Sequence, residues 1–382
     1  MASRILRIEM SLEIIGMIGA KREGTGKKGA EVHVIGGGID GDYITEFAQA
    51  HEKSGFDKVL VGYTSSSADG FIVAMHAAAN TKHLGYLIAH RPGFVSPTVL
   101  ARKAATFDQL TNGRIALHII SGGGDTEQRR DGDYETHDSR YERSGEFIKV
   151  LKNLWSQSEP LTHHGHFYKF ENAKSDFQCF QEPHIPIYFG GASEAALSVG
   201  AETCDVYALW GEPRKEVKKK IIDFKKRVKA TGRNPETIRF SISTRPIVAE
   251  TESEAWDKAY HTLESVLLSG QRSMHGTADE RLESVGSQRL VDFAAAGDVL
   301  DDRLYMPIAA AAGGAGNTTA LVGTPEQVVE SLIKYYKLGC TTLLIRGFDP
   351  YNDTIYWGKE LIPLLRDEVN KYLKSNVVTA HA

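Results

Sequence analysis

Eight times along the chain, a short apolar run with strand character is followed by a run of helical period. That alternation limits the possible folds more than any single motif does. The strand candidates are 11–18, 58–62, 84–90, 114–120, 185–189, 206–209, 239–248 and 341–345. Several, such as LGYLIA and TTLLI, are apolar at nearly every residue, which suits strands covered on both faces of a parallel sheet. Leu100, Ala104 and Phe107 share one helical face, and Asn112-Gly113 stops that helix. Val217, Ile221, Phe224 and Val228 form a second such stripe. The pattern predicts an α/β chain folded as a TIM (β/α)8 barrel with insertions. Such a barrel takes about 250 residues, so roughly 130 must lie in insertions. A single domain over 1–382 is expected, with insertions at about 19–41, 122–138, 157–184 and 269–324, the last a candidate lid.

The balance of charges narrows the partners. Lys plus Arg total 45 against 49 Asp plus Glu, so no global field favours nucleic acid, and the lysines of 218–226 read as a solvated helix face. No stretch reaches the about 20 apolar residues that span a bilayer, and the first 17 residues lack the apolar core of a secretory signal. Cys179, Cys204 and Cys340 are odd in number and far apart, which fits free thiols in a cytoplasmic protein.

Among motifs, neither H-E-x-x-H nor paired C-x-x-C occurs, and THHGHFYKF reads as a polar turn between short strands. G-x-S-x-G is also missing. Ser65, Ser66 and Ser67 follow the second strand at the expected catalytic mouth, with His90 and His118 at the ends of the third and fourth strands as conceivable bases. YFGGASEAAL places Gly190, Gly191, Ala192 and Ser193 between a strand and a helix, where glycines and free N–H groups can hold a phosphate. Ser193 can equally be a plain helix cap. His137 and Tyr141 stand one turn apart at the start of a helix, able to reach an anion together or simply to begin and pack it.

The segments RPGFVSPTVLARKAATFDQLTNGR, HDSRYERSGEF, IPIYFGGASEAA, DVYALWGEP and GGAGNTTALVGTPEQV, in this order from about Tyr43 to Leu365, resemble the bacterial luciferase-like flavin-dependent monooxygenases, and most closely their alkanesulfonate monooxygenase branch. The resemblance implies a barrel that takes reduced FMN (FMNH2) from a separate NAD(P)H:flavin reductase and uses O2 to oxygenate a small organic substrate. It further implies a homo-dimer or tetramer, while the charge balance and the lack of a spanning segment point to neither nucleic acid nor membrane as partner. Gly191 and Ser193 match the phosphate segment, with His137 and Tyr141 as its companions. His118 takes the fourth-strand position facing the flavin ring, Ser121 stands where relatives carry Thr, and Trp210 matches a tryptophan beside the flavin pocket.

The substrate half departs from the branch. Ser67 stands for its cysteine, Ser243 and Arg245 for an Arg-x-His pair, Phe348 and Pro350 for a Tyr-x-His pair, and Ala312 for an arginine; an early histidine is missing. Arg245, Arg91 and Arg346 remain as cations for a polar or anionic substrate, and His90 as a proton carrier of near-neutral intrinsic pKa. Sequence also leaves open a flavin- or deazaflavin-dependent oxidoreductase of the same family, or a flavin-binding protein without catalysis.

Overall fold

The computed structural model describes residues 11–22, 32, 37–122, 124–269, 284–314 and 317–379. The first four strands, β1 (Glu13–Ile18), β2 (Lys58–Val61), β3 (Gly85–His90) and β4 (Ile115–Ile119), pair in chain order, all parallel. A hairpin, β5 (Leu161–His164) and β6 (Lys169–Ala173), forms a sheet of its own where the THHGHFYKF turn was expected. The ring resumes with β7 (Ile187–Gly190), β8 (Val206–Trp210) and β9 (Arg239–Val248). After β10 (Val299–Leu300), β11 (Leu304–Tyr305) and β12 (Ala320–Gly323), β13 (Thr342–Ile345) pairs with both β9 and β1 and closes an eight-stranded parallel barrel. Every one of the eight apolar runs is a barrel strand. β1 and β3 are buried along their whole length, as strands with two covered faces must be.

The helices are α1 (Gly41–Lys53), α2 (Gly70–Ala79), α3 (Pro97–Thr111), α4 (Asp125–Arg130), α5 (His137–Ser156), α6 (Glu194–Thr203), α7 (Arg214–Ala230), α8 (Glu252–Ser269), α9 (Val285–Ala296), α10 (Pro307–Ala311), α11 (Pro325–Lys337), α12 (Pro350–Glu360) and α13 (Ile362–Thr379). The stripes on α3 and α7 bury against the outer faces of the strands, in one core with Val59, Leu117, Phe189 and Phe240. Alternate strand residues point inward, where Ile15, Leu87, Ala116, Tyr188 and Val206 fill the barrel. Its floor is polar: Lys58, Tyr188 and Thr342 all donate to the Glu13 carboxylate. Burial alone would raise the pKa of Glu13, but Lys58, Arg239 and these bonds outweigh it and hold it at about 2.

The expected insertions have structure of their own. Segment 122–138 carries α4. Segment 269–324 carries α9 and α10 and contributes β10, β11 and β12, while residues 270–283 and 315–316, like most of 19–41, lie outside the described residues. The β9 strand is long because it serves two partners on one side. Ser241–Thr244 pairs with β13, and Arg245–Val248 pairs with β12. Among the described residues no helix is long and apolar enough to cross a membrane.

Candidate active site at the C-terminal mouth of the barrel

At the turn from β7 into α6, Ser193 caps the helix and accepts from Ala196 N–H at 3.2 Å. The remaining N–H groups of the first turn have no acceptor within the helix. Gly191 has φ +150°, and a Cβ there would lie 2.4 Å from the Cβ of Ala196 and 2.9 Å from the Tyr141 hydroxyl. Only glycine fits, which leaves the backbone open to close approach. Tyr207 fixes the turn from behind by donating to Gly191 O at 2.5 Å.

The N-terminus of α5 completes this cradle. The Tyr141 hydroxyl bonds the Ser193 side chain, and its pKa is raised, chiefly by burial. The His137 ring meets Tyr141 edge-on at 5.0 Å, while its Nδ1 bonds Asp138 at 2.8 Å. The structure thus gathers His137, Tyr141, Gly190, Gly191, Ala192 and Ser193 in one place. Ser121, just beyond β4, is buried, and its hydroxyl bonds that of Ser144 on α5 at 2.8 Å. It therefore ties strand to helix beside the cradle.

His118 of β4 stands in register with Ala89 and Tyr188, on the inward face of the barrel. Among the described residues its enclosed Nδ1 has no hydrogen-bond partner, and burial pushes its pKa down to about 4. It is a neutral hydrogen-bonding group at physiological pH. In the ring order, β13 lies opposite β4. Trp210 ends β8 under the start of α9, where a Cβ on Gly286 would come within 2.9 Å of the indole. Arg346, directly after β13, faces the mouth from the wall across from His118.

The family model for luciferase-like monooxygenases matches residues 19–342, most of the chain. This protein belongs to the luciferase-like monooxygenase family. Solved structures share its fold. A riboflavin lyase with modified FMN and riboflavin superposes with a TM-score of 0.74 at 18% identity, over 94% of this chain and 92% of that one. A long-chain alkane monooxygenase gives 0.72 at 19% identity, over 94% and 92%. An F420-dependent secondary alcohol dehydrogenase gives 0.65 at 15% identity, over 93% and 99%.

Three expected residues of this luciferase-like chain are placed elsewhere or already engaged. His90 does not line the mouth. Its neighbour Ala89 faces inward, so His90 points outward, stacked on Phe147 of α5 at 5.6 Å and edge-on to Phe71 of α2 at 6.4 Å. Burial, then Lys103, lowers its pKa to about 3, so it carries no proton near neutrality. Ser67 has no histidine bonded to it among the described residues. Its hydroxyl donates to Thr64 O and accepts from Thr64 N–H, both at 3.0 Å, which makes it a turn residue. Arg245 is fully buried, donates to Val32 O and lies 4.5 Å over the Phe348 ring.

Other residues at the mouth escaped the sequence reading. Asn317, at φ +52°, accepts from Gly211 N–H at 3.1 Å and donates to Ser243 O at 2.5 Å, tying the segment before β12 to the end of β8 and the middle of β9. Its signal was the Gly-rich GGAGN, since asparagine tolerates the left-handed region. Glu127 of α4 accepts from Ser65 N–H at 2.6 Å and pairs with Arg91, pinning the 122–138 insertion to the mouth.

Proposed function

We propose that this enzyme is a two-component monooxygenase that takes reduced FMN from an NAD(P)H:flavin reductase and uses O2 to oxygenate a small organic substrate. The single observation that carries the reading is the cradle at Gly191. It combines a left-handed glycine that excludes a Cβ, a capped helix start with N–H groups to spare, and the Tyr141 and Ser193 hydroxyls together. Those features fit a phosphate-tailed cofactor. Its ring would lie along the inward wall toward His118, whose enclosed Nδ1 lacks a partner.

Reduced FMN, when bound, supplies the electrons that activate O2. The chain's own residues do the rest. Gly190, Gly191, Ala192, Ser193, Tyr141 and His137 hold the phosphate. His118, neutral throughout the physiological range, positions the ring or the oxygen by a hydrogen bond and does not deliver a proton as an acid. Trp210 and the overlying α9 keep bulk water from the mouth. Arg227 pairs with Glu194 in the first turn of α6, so that carboxylate does not oppose an arriving phosphate. The proposal does not extend to alkanesulfonates. Arg245 is engaged with Val32 and Phe348, Pro350 opens α12, and Ala312 is fully buried.

The same fold in an F420-dependent dehydrogenase supports a second reading, hydride transfer on a deazaflavin. Anaerobic titration with reduced FMN and with reduced F420, followed by mixing with air-saturated buffer, separates the two. The expected result is tight binding of reduced FMN, with reoxidation kinetics distinct from free flavin. Preferential F420 binding, or FMN reoxidising as it does without protein, would overturn the proposal.

A further inference from the structure

Among the described residues at the mouth, Arg91 and Arg289 are held by carboxylates and Arg346 is not. Arg91 pairs with Glu127 and, at 3.7 Å, with Asp131. Arg289 of α9 forks onto Glu212, at 3.2 and 2.8 Å. Among the described residues, Arg346 has only the Met17 sulfur at 3.3 Å and Asn317 O at 3.4 Å. Its Nε is enclosed without a partner, and no carboxylate among the described residues lies within ion-pairing distance. A guanidinium carries five N–H donors, so most of this one is unspent. Partnered arginines such as Arg214 and Arg289 have raised pKa values, whereas burial alone draws Arg346 down to about 10, still charged at neutral pH.

Holding a half-buried cation without an ionic partner is unfavourable unless something compensates it. The charge stands on β13, across the ring from β4 and three strands from the β7 cradle. A phosphate held at Gly191 therefore does not reach it by that route. Beside and below it lie the apolar Met17, Leu60 and Leu344, while the β9 side is polar, with Ser243 in register with Leu344 and Asn317 O at 3.4 Å. One planar fork above an apolar floor suits a planar monoanion joined to a hydrocarbon body.

We propose that Arg346 seats the carboxylate of a small organic acid, the substrate whose carbon chain lies between this wall and the cofactor side of the mouth. The inference rests on the flavin reading, which assigns the opposite wall to the cofactor ring.

Calorimetric titration of the purified protein with hexanoate, hexanesulfonate and hexanol tests it, alongside FMN binding followed by flavin fluorescence. Hexanoate is expected to bind at least about tenfold more tightly than hexanol, and Arg346→Met to abolish that preference while leaving FMN affinity unchanged. Arg346→Lys should keep part of it, as a cation without the fork. Without ligand, Arg346→Met should melt no lower than the parent, because a half-buried charge without an ionic partner is gone.

Equal binding of hexanoate and hexanol, or tighter binding of hexanesulfonate, would overturn the carboxylate assignment. So would loss of FMN affinity in Arg346→Met, which would place the arginine in the cofactor seat, or a lower melting point, which would make it structural. If the parent binds no FMN yet shows an Arg346-dependent preference for hexanoate, the carboxylate seat stands and the flavin reading falls.

Discussion

His90 lies between the rings of Phe71 and Phe147, with its Nε2 enclosed and unpartnered. In that setting the imidazole behaves as an apolar ring. Its folded pKa of about 3 lies below the ordinary 6.5, so between those values the unfolded chain binds a proton that the folded chain refuses. Its contribution to stability is therefore complete above pH 6.5 and declines as pH falls toward about 3. His51 and His118, both held near 4 by burial, act in the same direction over the upper part of that window. Each such histidine contributes at most about 1.4 kcal/mol per pH unit. Urea unfolding of His90→Phe at pH 7, 6, 5 and 4.5 should show the parent's stability near neutrality and a slope shallower by about one proton's worth below pH 6.5. FMN affinity should not change. An undiminished slope would mean that His90 is protonated within the fold.

The cradle is a property of two elements, the β7–α6 turn and the start of α5. Neither Gly191 nor Tyr141 makes it alone. An alanine at position 191 would need a backbone conformation that L-residues rarely adopt and would put its Cβ against Ala196 and the Tyr141 hydroxyl. The turn would have to move away from α5. Gly191→Ala should therefore lose at least about tenfold in FMN affinity, at a stability cost of about 1–3 kcal/mol. Tyr141→Phe keeps the turn and takes one hydroxyl out of the cradle together with its bond to Ser193, so it should weaken FMN less than Gly191→Ala does. Fluorescence titration of both variants checks this, and equal losses would mean that the hydroxyl, and not the shape of the turn, holds the phosphate. This part of the site was legible in sequence because strand, glycines, cap and helix are contiguous, and their chemistry needs no distant partner to be recognised.

At the scale of the molecule, the barrel was legible for a similar reason: eight apolar runs have few other ways to bury both faces. Facing was another matter. In GYLIAH every position is buried, so no two-residue period told which of Ala89 and His90 turns inward. Arg245 found its acceptor 213 residues away, in Val32, and the isolation of Arg346 is a lack of partners that only the folded chain reveals. β12 escaped because four residues beside a Gly-rich stretch carry too little pattern.

The seating of α9 at the mouth is likewise a long-range matter, and it converges on Glu212. That carboxylate is 1% exposed and is gripped by Lys220 of α7 and by both arms of Arg289 on α9, while Tyr335 of α11 donates to its carbonyl at 2.8 Å. Gly286 lets the same α9 lie directly on Trp210. Arg289→Ala would leave Glu212 with Lys220 alone, a cost of about 1–2 kcal/mol because Arg289 is partly solvated. Since this pair is the charged link in a contact that Leu290 and the indole complete, the loss should appear locally. Hydrogen exchange of α9 amides should quicken severalfold while β1, β3 and β4 keep their protection. Unchanged exchange in α9 would show that the apolar contacts of Leu290 and Trp210 hold the helix, and faster exchange across the barrel strands would make Glu212 a determinant of the whole fold.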